Sequence, residues 1–310
     1  IGASTEDTIA GGDVRIFEVR LKEERVREIA AERLPHRPNG RVLPLRKALS
    51  IKEEVLARPT FFEHFDGVMV DWRYLGIRNR ETVECEAGWI KRQGLRVVVD
   101  MTSGLNLYPD IRLVDNSDAD YPASWRTIED IVAKTKALGG QDLVIAQHRL
   151  PENNMTADRA RASMEATIRR ICQRAAALGL TVHLRLYPGR TPANLDDARQ
   201  TLARIGQAHL RLAPSVGTLL TSGATVGQLA GGLGDKIGLW MVGRAELDAG
   251  GQIWTVHKPL GDAEAWKPFL PWVNAMPTAP IVFDAIYDGQ DAEYIDASIV
   301  NKNLERTSHH

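Results

Sequence analysis

From residue 41 onward, short apolar, β-branched runs alternate with longer stretches in which apolar residues recur every three or four positions. The runs are Arg41–Leu45, Gly67–Asp71, Arg96–Asp100, Asp142–Ala146, Thr181–Leu186, Leu210–Ala213, Ile237–Val242 and Pro280–Asp284. Most of their cores are apolar throughout rather than at every second position, Thr181–Leu186 with His183 and Arg185 and Leu210–Ala213 with Arg211 being the exceptions. That is the mark of strands covered on both faces, as in a parallel sheet with helical crossovers. Eight such units predict an α/β protein built as a (β/α)8 TIM barrel. Pro44 removes one ladder donor from the first run, and the sixth run is short.

The intervening stretches carry helix signals. Ser50-Ile51-Lys52-Glu53 reads as a capping box, Thr156 opens a long Ala/Arg-rich helix that Gly179 stops, and Asn194 opens another that Gly206 ends. Residues 1–40 read differently. Gly11-Gly12-Asp13 leads into Val14–Leu21, apolar and charged in alternation, which predicts a half-buried antiparallel strand foreign to a parallel barrel. A helix over Lys22–Arg33 and a linker over Pro35–Gly40 follow. The expected organisation is a short N-terminal β-strand and linker extension from a preceding domain (1–40), the barrel (41–303), and a purification-tag remnant (304–310). The start at Ile1 and the ending His309-His310 lead to the expectation of a piece of a longer protein.

Composition changes this picture little. Of the 310 residues, 44% are hydrophobic and 25% charged, and the formal net charge is −1. Those are ordinary globular values. The charge balance points away from nucleic acid, and no apolar run approaches the length of a membrane span. No Gly-x-Ser-x-Gly elbow and no paired-Cys metal spacing occur, and Cys85 and Cys172 form no disulfide framework.

Two resemblances follow from particular phrases. Gly12–Leu21 resembles the last strand of the β-sandwich domains that often follow glycosidase catalytic domains, which implies a multidomain, carbohydrate-active parent and favours a secreted or periplasmic setting. From Gly67 onward the strand order, with Ala177–Leu184 and Pro280–Asp284, resembles the xylose isomerase-like barrels, the superfamily of sugar (phosphate) isomerases and epimerases. That resemblance implies a divalent metal held by a Glu after strand five, an Asp and His after strand six, a His after strand seven and a Glu after strand eight. Here strand five ends in Leu186-Tyr187-Pro188, strand six in Pro214-Ser215 and strand seven in Val242-Gly243; only Asp284 keeps a carboxylate. With Arg185 and Arg190 nearby, the expectation is that the metal is absent and that no cofactor is needed.

In a barrel the active site lies at the C-terminal strand ends. Asp71, Asp100, His148, His183 and Asp284 are therefore the candidate acids and bases. Arg73, Asn106, Arg149, Arg185, Tyr187, Trp240, His257, Lys258 and Tyr287 are candidates for gripping a carbohydrate or sugar-acid ligand, since Arg forks take carboxylates and aromatic faces stack on pyranose rings. Plain structural readings stand beside these. Asp71 and Asp100 can cap the loops that follow them, and mid-strand His183 can be a satisfied core residue. Trp254, Trp266 and Trp272 read as packing, and Arg159, Arg161, Arg169, Arg170 and Arg174 as a solvated helix face.

Three functions stay open at this point. One is a metal-independent hydrolase, lyase or isomerase acting on a sugar or uronic acid within a polysaccharide-processing protein. Another is a non-catalytic glycan-binding barrel packed against neighbouring domains of the parent chain, and the third is a metal-dependent sugar isomerase or epimerase.

Overall fold

Continuous apolar runs become strands because both of their faces are covered. The computed structural model describes residues 41–45, 51, 65–102, 111–115, 121–146, 155–186, 191–247, 253–258, 260–276 and 278–284, with 41–45, 230, 246–247 and 253–258 as backbone only. The expected N-terminal strand, helix and linker and the tag remnant lie outside the described residues.

Among the described residues ten strands are formed: β1 Arg41–Leu45, β2 Gly67–Asp71, β3 Arg96–Asp100, β4 Asp142–Ile145, β5 Thr181–Leu186, β6 Leu210–Pro214, β7 Trp240–Val242, β8 Arg244–Leu247, β9 Ile253–Lys258 and β10 Ile281–Phe283. Eight of them make one parallel sheet in the order β6-β5-β4-β3-β2-β1-β10-β7. Parallel bridges Leu212 to Ile237 and Ser215 to Met241 join its two ends. The sheet is thus a closed ring, the (β/α)8 barrel expected from the eight runs. β8 and β9 form a separate antiparallel hairpin, which the strand pattern did not lead us to expect.

The helices between strands are α1 Trp72–Gly76, α2 Arg80–Arg92, α3 Tyr121–Ala137, α4 Ala157–Ala177, α5 Leu195–Ile205, α6 Val216–Thr221, α7 Val226–Ala230, α8 Ala263–Trp266 and α9 Leu270–Ala275. Thr156 caps α4, accepting the Arg159 amide at 3.3 Å, and Asn194 caps α5, accepting the Asp197 amide at 2.9 Å. Gly206 ends α5 at φ 65°, a conformation that costs glycine little. Ile51 presents its amide to Glu86 Oε1 at 2.8 Å and to the Tyr74 hydroxyl at 3.0 Å, so the start of the crossover after β1 is fixed on α1 and α2. The α4 arginines are not simply solvated. Arg161 pairs with Asp197 at 2.7 Å, Arg169 donates to the Ile205 and Arg204 carbonyls, and Arg170 stacks on Trp125, which ties α4 to its neighbours α5 and α3.

Residue parity sorts every strand into two faces. Val68, Val70, Val97, Val99, Leu143, Ile145, Val182, Leu184, Leu186, Trp240, Val242, Ile281 and Phe283 point outward into the large core beneath the helices. Met69, Val98, Val144, Ala213, Leu239, Met241 and Val282 point inward and fill the bore as a separate apolar plug. Burial of these side chains stabilises the ring by roughly 1.5–3 kcal/mol each before conformational entropy is charged against it.

Polar inward residues lie on either side of this plug. At the N-terminal strand ends, Asp142 receives Arg96 at 2.6 Å and His183 Nε2 at 2.7 Å. Burial raises the Asp142 carboxyl, but His183 and Arg96 outweigh it and hold its pKa below the ordinary range. Gly238 lies against the His183 ring. A Cβ there would sit 2.5 Å from Nδ1 and 2.8 Å from the Arg211 Cβ, which explains the glycine. Among the described residues, no helix is long and apolar enough to cross a membrane.

Candidate functional site

At the C-terminal strand ends the bore opens on Asp100 from β3, Arg185 from β5, Ser215 after β6 and Asp284 after β10. All four share the inward parity of the plug below them: 100 follows 98, 215 follows 213 and 284 follows 282 by two. The Arg185 guanidinium lies at the centre. Its Nη2 donates to Asp284 Oδ2, and its Nε donates to Ser215 Oγ at 3.1 Å. Arg185 and Asp284 are 5% and 6% exposed, so their pairing is largely sheltered from solvent. The Asp284 amide donates to the Val242 carbonyl at 2.8 Å, anchoring that carboxylate's backbone on β7.

Asp100 accepts the Thr102 amide at 2.8 Å. Burial pushes its carboxyl above the usual range, with Arg185 and Thr102 pulling it back and the Asp284 carboxylate adding to the rise. The mouth thus holds a cation fixed by two side chains and an acid that retains its proton to higher pH than an ordinary aspartate. Such a set can grip a ligand oxygen and exchange a proton with it.

Other expected residues are placed differently. Asp71 caps α1: its Oδ1 accepts the Arg73 amide at 2.9 Å and Nε at 2.8 Å, and its Oδ2 accepts Nη2 at 3.0 Å. The two residues form a local clamp at the rim, the capping arrangement considered from the sequence. His183 is corrected: it is buried below the plug with Asp142, at the opposite end of the bore from Asp100 and Asp284. Two positions of parity separate it from Arg185, and in this ring that carries it to the N-terminal layer. Trp240 is corrected as well. It faces outward, fully buried among the helices, and its Nε1 donates to the Met276 carbonyl at 3.3 Å. Its strand parity is that of Val242, not of Met241, and this keeps it out of the bore.

His148, Arg149, Asn106, Tyr187 and Tyr287 lie outside the described residues, as do the side chains of His257 and Lys258 on β9. Ser215 and Thr102 were not singled out from the sequence. For Ser215 the signal was its parity with Ala213. Trp266 and Trp272 are core residues, as expected of packing side chains.

Among the described residues, no three His, Cys, Asp or Glu side chains converge as a metal cage. β5 ends at Leu186, the described residues that follow β6 and β7 are Ser215 and Gly243, and the Asp284 carboxylate is engaged by Arg185. The β8–β9 hairpin rises beside this rim against α6. There Gly217 admits no side chain, because a Cβ would lie far inside contact distance of the Gly243 carbonyl oxygen.

No protein-family model and no curated protein matches the chain by sequence. Solved structures do match it in fold. The 3-keto-D-glucoside 4-epimerase from E. coli, in its apo form, superimposes with a TM-score of 0.63 at 18% identity, over 86% of this chain and 100% of that one. A xylose isomerase domain protein from Alicyclobacillus acidocaldarius gives 0.64 at 16% identity, over 86% and 98%. The probable 3-DHS dehydratase of petrobactin synthesis from Bacillus anthracis gives 0.60 at 14%, over 84% and 97%. The chain therefore has the fold of the xylose isomerase-like TIM barrels, and at these identities the likeness is one of fold.

Proposed function

We propose that the mouth of the bore is a carbohydrate site that binds, or acts without metal on, a sugar or uronic acid. The observation that carries this is the buried Arg185–Asp284 pair with half-buried Asp100 beside it at the strand C-termini, where barrel enzymes place their chemistry. Support for the ligand class comes from the named activities of structures with this fold, among them L-ribulose 3-epimerase and D-allulose 3-epimerase. In this reading Arg185 holds a ligand oxygen, Asp100 supplies or takes the proton, and Asp284 keeps the guanidinium in place. The described donors do not fit a divalent cation, because the one carboxylate matching a family ligand, Asp284, already neutralises a guanidinium.

The wider setting, a module of a larger polysaccharide-processing chain, rests on the Gly12–Leu21 phrase alone. Calorimetric titration with a panel of neutral sugars and uronic acids tests the function. Binding of at least one class should occur in the wild type and be lost in Asp100→Asn and Arg185→Ala. If variants and wild type bind the whole panel alike, the mouth is not the site. If no turnover is ever found with a bound sugar, the glycan-binding version stands and the enzyme version falls.

A further inference from the structure

We infer that Arg185 is a built-in cation which fills the position between strand-end carboxylates where a divalent metal would otherwise sit, and that Ser215 is the residue that positions it. The inference deepens the reading above by naming the positive group that a ligand oxygen meets. Its tests use no sugar, so it stands or falls separately.

A guanidinium that merely strayed into the bore would be held by one partner. Arg185 is held by at least two, from the ends of two different strands: Asp284 after β10 takes Nη2 and Ser215 after β6 takes Nε at 3.1 Å. Nε and Nη2 form one edge of the planar fork, so the two bonds fix the orientation of its plane as well as its position. Ser215 has a firm backing of its own, since its amide donates to the Leu186 carbonyl at 3.1 Å and it bridges to Met241 across the closing seam of the ring. Below the fork the apolar plug of Val98, Val144, Ala213, Met241 and Val282 closes the bore, which offers the charge no route downward.

The field is shared as well. Asp284 is buried and Asp100 half-buried at this rim, and Arg185 acts on each of them. A divalent cation entering here would meet a like charge at close range in a sheltered site. It would also have to take Asp284 from its partner, leaving a buried guanidinium without its carboxylate. Removing the positive charge should reverse that preference, because the carboxylates of Asp100 and Asp284 would then lack the cation they share.

The experiment is a manganese titration followed by the electron paramagnetic resonance of free Mn²⁺, on wild type, Arg185→Lys, Arg185→Gln and the double variant Arg185→Gln with Asp284→Asn. Wild type and Arg185→Lys should leave millimolar Mn²⁺ free. Arg185→Gln should take up one ion per chain, at least about tenfold more tightly than wild type, and the added Asp284→Asn should abolish the gain. Stoichiometric metal in the wild type, or no gain in a folded Arg185→Gln, overturns the inference.

A second measurement needs no change at Arg185. In ¹⁵N NMR the Arg185 Nε–H should be protected from exchange in wild type and in Ser215→Thr, and lost to fast exchange in Ser215→Ala. An equally protected signal in Ser215→Ala would show that Ser215 positions nothing.

Discussion

Gly238→Ala is the sharpest test of how this barrel is packed, because two opposing effects of known size meet at one atom. The backbone at Gly238 is not left-handed, so alanine fits its conformation, and loss of glycine freedom in the unfolded chain favours the variant by about 0.4–1 kcal/mol. Against this, the new methyl would lie 2.5 Å from His183 Nδ1 and 2.8 Å from the Arg211 Cβ, about an ångström inside ordinary contact. The imidazole cannot simply step back, since its other nitrogen is bonded to Asp142 at 2.7 Å. Overpacking of a tight core costs about 1–3 kcal/mol, and weakening a buried charge-assisted bond adds about 1.5–3 kcal/mol. The expected net loss is about 2–4 kcal/mol, read as a lower urea midpoint with an unchanged slope. The same substitution in a His183→Ala background should cost at least about 1 kcal/mol less, because the obstructing ring is gone and only the contact with the Arg211 Cβ remains. A Gly238→Ala protein as stable as wild type, or an equal cost in both backgrounds, refutes the packing described here.

Three other outcomes follow from the same geometry. Gly217→Ala meets backbone rather than a side chain, so it should cost at least about 3 kcal/mol or leave the protein insoluble; thermal unfolding near wild type would contradict the contact with Gly243. Asp142→Asn breaks a buried pair and should lose about 3–5 kcal/mol in urea unfolding at neutral pH. Because the folded Asp142 pKa is depressed, its contribution is present above the unfolded value and disappears as pH falls through the folded one, so wild type and variant should converge in acid. Asp100 has the opposite sign. Its folded pKa is raised, so the ionised form is unfavourable in the folded state once pH rises through that value, and Asp100→Asn should be more stable than wild type at alkaline pH while losing ligand. A variant that is less stable there would show that Asp100 is held ionised.

The ring was legible because burial on both sides writes most of its strands as apolar runs, and all eight runs became barrel strands. Strand ends were legible too, so Asp100, Arg185 and Asp284 could be named before their meeting was seen. What failed was parity. His183 and Arg185 share a face of β5, yet the plug separates them, and a strand read alone does not say on which side of it each lies. Trp240 was drawn toward the mouth by its chemistry, although one position along β7 turns the side chain outward. Ser215 went unremarked because a serine beside a proline at a strand end reads as a turn; only the ring brings it to Arg185. The β8–β9 hairpin was missed although Arg244–Leu247 and Ile253–Lys258 flank Gly250-Gly251, a visible turn signal.

The greasy stopper of Met69, Val98, Val144, Ala213, Leu239, Met241 and Val282 works as an insulator between two electrical compartments. Below it, Arg96, Asp142 and His183 are joined to one another; above it lie Asp100, Arg185 and Asp284, the residues of the proposed site. Changes upstairs therefore leave the foundation untouched, and a lineage built on this scaffold is free to exchange one kind of positive charge for another without having to learn to fold again.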